Sequence, residues 1–113
     1  MDYLKLFNEN VLYLYIDLNE NDINNNENII NKIENLLKED KLYFIEIIKE
    51  KILKYKEEIL NENIKIIEII NNLFIYKLNL EEIYKKVNKE KKEIIWKYLK
   101  IFVILCENYY FTL

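Results

Sequence analysis

The sequence predicts an all-α protein, a compact bundle of five or six short amphipathic helices in one domain over residues 1–113. Two observations carry that prediction. Apolar residues recur at spacings of three and four along nearly the whole chain, the period of a helix with one buried face. Asn, in a chain without Gly or Pro, falls between the periodic segments, and Asn both caps helices and tolerates left-handed backbone.

The first segment, Asp2 to Leu18, sets Leu4, Phe7, Val11, Leu14 and Leu18 on one stripe. Its stretch from Val11 to Ile16 has the β-branched and aromatic content of a strand. A lone strand has no partner here, so helix is expected. Residues Asn19 to Asn28 read as a polar linker, followed by a helix with Ile29, Ile30, Ile33, Leu36 and Leu37 inward. Asp40 reads as the N-cap of a third helix to about Leu60, facing inward through Ile45, Ile48, Ile52, Tyr55 and Ile59. A fourth starts at Asn61 or Asn63 and carries Ile66, Ile67, Ile70, Leu73 and Phe74. Asn79 and Glu82 have capping-box spacing before a short fifth helix with Leu80, Ile83, Tyr84 and Val87. Asn88 then breaks the pattern. The last helix, about Lys89 to Tyr110, buries Ile95, Tyr98, Leu99, Phe102, Cys106 and Tyr109. Short connections make neighbouring helices antiparallel.

Composition narrows the function classes. The chain lacks Ala, Ser, Arg, His and Gln as well as Gly and Pro, and is rich in Ile, Asn, Lys and Tyr. Those are the residues of AT-rich codons, so a strongly AT-biased genome is expected. Without His there is no side chain that titrates near neutrality unless perturbed. Without Ser there is no serine nucleophile, and Cys106 has no imidazole to activate it. Absence of Gly removes the phosphate-cradling loops of nucleotide enzymes. Glu57/Glu58 and Glu81/Glu82 are adjacent pairs, and adjacent helical residues do not converge on one point. The expectation is a non-enzyme without cofactor or metal. A single cysteine forms no internal disulfide and reads as a small core hydrophobe in a reducing, cytoplasmic compartment. Asp2, Lys5, Glu9 and Asp17 interrupt the apolar residues of the first segment, so no signal peptide is expected there, and no transmembrane segment elsewhere.

Charge singles out one region. Residues 1–48 hold ten acids and four Lys, while residues 49–113 hold thirteen Lys and ten acids. Between positions 85 and 100, seven Lys stand against Glu90 and Glu93. Lys85, Lys89, Lys92, Trp96 and Lys100 fall near one helical face, the arrangement of a basic stripe with an aromatic that could hold nucleic acid. Arg and the small polar donors common at phosphates are missing. Trp96, with Tyr84, Lys92, Lys100 and Val103 around it, reads instead as an aromatic anchor for a protein partner, or as the lid of the core. Lys interleaved with Glu around an apolar patch favours the protein partner. A continuous stripe clear of acids favours nucleic acid.

Three stretches, FNENVLYLYIDL, FIEIIKEKILKYKEEILNEN and NKEKKEIIWKYLKIFVILCENYY, together resemble short helical proteins of large nucleocytoplasmic DNA viruses. Ile95-Trp96-Lys97-Tyr98-Leu99 is the part most specific to that likeness. The resemblance implies a viral protein with no assigned activity, and it assigns no residue a role. The function expected is a non-enzymatic interaction or structural protein whose partner is a second copy, another virion component or a host factor. The alternative is a nucleic-acid-associated accessory protein using the Lys85–Lys100 face.

Overall fold

A computed structural model describes residues 2–18, 23–70 and 80–111, with the backbone alone for 23–27. Its elements are α1 (Tyr3–Leu18), α2 (Ile23–Glu39), α3 (Tyr43–Lys54), α4 (Lys56–Leu60), α5 (Lys65–Ile70), α6 (Leu80–Lys86) and α7 (Lys89–Phe111). The all-α bundle is as expected. Val11 to Ile16 lies inside α1, so a helical stripe prevails over β propensity in that segment.

The boundaries differ in two places. The second helix starts at Ile23, inside the stretch read as linker. Asn is a modest helix former, not a breaker, and once Ile29 and Ile33 anchor the helix its preceding turns can propagate. The third expected helix is two. Tyr55 (φ −105°, ψ 25°) leaves helical geometry between α3 and α4, raising the described helices to seven. Leu73, Phe74 and the Asn79 cap lie outside the described residues.

Helix α7 is the central element and packs on α1, α3, α4 and α6. Its pairing with α1 is antiparallel. Phe7 and Phe102 stack with centroids 5.0 Å apart, while Asp17, near the end of α1, meets Lys91 and Tyr98 early in α7. The Lys91 ammonium donates to the Asp17 carbonyl at 2.6 Å, supplying a cation to the negative end of the α1 dipole. Tyr98 donates its hydroxyl to the Asp17 carboxylate. Burial and that carboxylate both push the Tyr98 phenol well above its ordinary range. The α3–α4 strip runs antiparallel along another side of α7, through Lys49 over the Tyr110 ring, Lys56 to Glu107 and Glu62 to Lys100.

The core is one cluster, and no described polar or charged residue is buried within it. Ile45, Ile48, Ile52, Ile59, Ile66, Ile67 and Ile70 are all inside. Ile costs a few tenths of a kcal/mol more than Leu in a helix, so packing and not propensity holds these segments. Cys106 lies fully inside the cluster, where desolvation pushes its thiol up to about 12. It stays protonated and inert at neutral pH.

Turns made without glycine show their chemistry. Asp2 caps Lys5 N–H at 3.0 Å, and Asn88 caps Lys91 N–H at 2.9 Å, which is why the pattern breaks there. Asp40 is not the N-cap of α3: Leu42 holds that position, and the Asp40 carboxylate, two residues before it, accepts from Leu42 N–H at 3.1 Å in the preceding turn. After α4 the chain closes a Schellman motif, with Asn63 N–H to Glu58 C=O at 2.9 Å and Glu62 N–H to Ile59 C=O at 3.0 Å. Glu62 sits there at φ 54°, a left-handed position usually given to Gly. A side chain in that region costs about 1–2 kcal/mol.

Replacing Glu62 by Gly and by Val removes the same ion pair, so the difference between the variants isolates the backbone. The Gly variant should be the more stable by about 1–2 kcal/mol or more in urea denaturation. Equal stability would contradict a left-handed Glu62.

Candidate interaction surface on the last two helices

Helices α6 and α7 bring the singled-out residues together, but mostly by burying the apolar ones. The short break at Val87 and Asn88 folds α6 back on α7, and Tyr84 and Trp96 then meet edge to face at 6.0 Å. The Trp96 indole N–H donates to the Tyr84 hydroxyl at 3.0 Å. Trp96 is 3% exposed, Tyr84 9% and Val103 1%. These three are part of the core, and an anchor that inserts into a partner is not available from them as they stand. The expected inner stripe of α7 was too narrow. A helix contacted by four others is buried over a wide arc, and Trp96 and Val103 flank the Ile95–Leu99–Phe102 line inside it.

The lysines stay outside and find partners. Lys92 lies over the Tyr84 ring, 5.2 Å from its centroid. Lys85 pairs with Glu81 at 3.0 Å and Lys86 with Glu82 at 2.6 Å, each one helical turn away. The Lys86 hydrogen bond and charge hold the Glu82 carboxyl below its usual range. Lys100 reaches across to Glu62 at 2.7 Å. Lys91 is spent on the end of α1. Lys89 is exposed at the first turn of α7. Exposed pairs of this kind contribute little stability. Their consequence is electrostatic: acids drawn from α6 and from the turn after α4 interleave with the basic stripe.

Sequence reasoning missed the apolar surface beside that stripe. Ile104 is 53% exposed on α7 and Ile64 is 63% exposed in the turn after α4. Ile104 borders a shallow groove with Glu62, Trp96, Lys97, Lys100 and Ile101. Ile64 borders a second, with Ile67, Glu68, Tyr84 and Lys85. A signal was present in the sequence. Ile94, Ile101 and Ile104 lie off the Ile95–Leu99–Phe102–Cys106 stripe, so a single inner face could not absorb every apolar residue of α7.

Comparison with known proteins gives no match to a family model, to a curated protein or to a solved structure. No helix among the described residues is long and apolar enough to cross a membrane.

The Tyr84–Trp96 pair should act as a structural lock. Tyr84→Phe leaves a buried indole N–H unpaired and should cost about 1–3 kcal/mol in equilibrium unfolding. A neutral substitution would mean that water reaches the indole, contrary to its burial.

Proposed function

We propose that the chain is a non-enzymatic interaction or structural protein that works through protein–protein contacts. A viral origin and a cytoplasmic site of action in the host belong to the same reading. They are supported by the resemblance around Ile95–Leu99 and by the AT-biased composition. The single observation favouring a protein partner is the pairing of charge beside exposed apolar surface. Lys85, Lys86 and Lys100 are matched by Glu81, Glu82 and Glu62, and Ile104 and Ile64 stand open next to them. A polyanion gains affinity by releasing counterions from phosphates to uncompensated cations. Lysines already held by carboxylates give little of that. Isolated surface hydrophobics need no explanation, but apolar residues lining grooves with a charged rim have the make-up of an interface.

The residues a partner can reach are therefore Ile104, Ile64, Lys97 and Lys100, with Trp96 and Tyr84 forming the rigid floor beneath. The absence of His and Ser supports a non-enzymatic role, as does the inert, buried Cys106 thiol.

Gel-shift titration with single- and double-stranded DNA and RNA, at low and at physiological salt, should give no complex. Affinity purification from the native cell should capture a protein that is lost with Ile104→Lys. A nucleic-acid complex that weakens steeply with salt, and disappears when Lys85, Lys89 and Lys92 are all changed to Gln, would overturn the reading.

A further inference from the structure

Helix α7 carries a second periodic stripe that the described elements leave partly open. Ile94, Lys97, Ile101, Ile104, Asn108 and Phe111 follow one another at steps of three and four, the spacing of a coiled-coil seam. Ile94, Ile101 and Asn108 are half-buried, whereas Lys97 is exposed, Ile104 is 53% exposed and Phe111 76%. The stripe stands as a ridge between two grooves. On the α1 side lie Asn10, Asp17 and Tyr98, on the α4 side Glu62, Trp96 and Lys100, and Lys97 and Ile101 border both. Lys97, Lys100, Ile101 and Ile104 have the i, i+3, i+4, i+7 relation of the four residues that make a hole for a knob.

We infer that this ridge is a self-association surface, on which a second copy of the chain packs its α7 antiparallel to the first. The inference rests on the protein-contact reading above and names the partner. Two features of the sequence select a second copy. An antiparallel seam pairs its positions palindromically, and a two-fold axis between Ile101 and Ile104 sets Ile101 against the other copy's Ile104. The next layers set Lys97 against Asn108 and Ile94 against Phe111. Apolar meets apolar and polar meets polar in every layer, as an isologous interface demands.

Charge agrees with this register. The positions flanking the seam on the α4 side are Lys100 and Glu107, seven residues apart. Antiparallel packing about that axis brings Lys100 of one copy beside Glu107 of the other, twice. Within the chain Lys100 is bound to Glu62 at 2.7 Å and Glu107 to Lys56 at 3.0 Å. Association thus strings four alternating charges, Glu62, Lys100, Glu107 and Lys56, into a row that occurs twice along the α4 flank. The Lys97–Asn108 layer, polar within an apolar seam, penalises slipped registers as a seam Asn does in coiled coils. From Ile94 to Phe111 the seam is about 25 Å long.

Sedimentation velocity on the full chain over a dilution series should show a reversible dimer. Ile104→Lys, at a side chain already half exposed, should leave the helical circular dichroism unchanged and raise the dimer dissociation constant by about 30-fold or more, as loss of a central contact does. Orientation has its own readout. Lys97→Cys mixed with Asn108→Cys should give a disulfide-linked heterodimer under mild oxidation. Either variant alone should not, because like positions lie about 16 Å apart along the axis. The buried Cys106 does not compete. A wild type that stays monomeric, a dimer indifferent to Ile104→Lys, or homodimeric crosslinks from Lys97→Cys alone would each overturn the inference. Should the wild type be monomeric while Ile104→Lys still releases a captured cellular protein, self-association fails and the protein-contact reading stands. Should Ile104→Lys change neither, both fall.

Discussion

The antiparallel pairing of α1 with α7 is the constraint from which the rest of the molecule follows. Phe7 on Phe102 sets the depth of the pair, and Asp17, held by Lys91 and Tyr98, sets its register. With α7 fixed in the middle, the α3–α4 strip and α6 have only its remaining sides to cover. The arc they bury takes in Trp96 and Val103, and the arc they leave is the Ile94–Phe111 ridge. Core and candidate surface are two consequences of one helix having too many apolar residues for a single stripe.

A chain without Gly, Pro or Ala builds its connections from side-chain oxygen and tolerated strain. Asp2, Asn63 and Asn88 accept backbone N–H groups where helices start. Glu62 accepts a left-handed backbone where α4 ends, and its carboxylate then reaches Lys100 on α7. The turn is strained locally but tied to the central helix, so its cost is offset by docking. The same reliance on packing shows in the isoleucine core, where helices of weak intrinsic propensity are held by what they bury.

Most of the architecture was legible because helical periodicity is a strong signal over long segments. Phe7, Val11 and Leu14, and likewise Ile45, Ile48 and Ile52, fall inside as the spacing requires. Element ends were less legible. The Asn-rich stretch from Asn19 to Asn28 signals a linker locally, but from Ile23 on it yields to a helix already anchored downstream, and nothing in the residues around Tyr55 marks the break there. The candidate site was legible as a location and not as a surface. Lys85, Lys92, Trp96 and Tyr84 do converge, but which of them faces water depends on how many helices surround α7, a tertiary fact that no local pattern contains. Pairing of Lys100 with Glu62, thirty-eight residues apart, is likewise a product of the fold.

Core and surface are divided by which side of α7 is closed. Trp96 at its centre is the one tryptophan of the chain, so its fluorescence reports that side alone. Acrylamide and iodide quenching of the native protein tests this most directly. With the indole 3% exposed and bonded to Tyr84, emission should be blue-shifted and protected from both quenchers until the protein unfolds. A red-shifted native emission, quenched as freely as in denaturant, would put Trp96 on the surface and contradict the division of α7 into a buried arc and an exposed ridge.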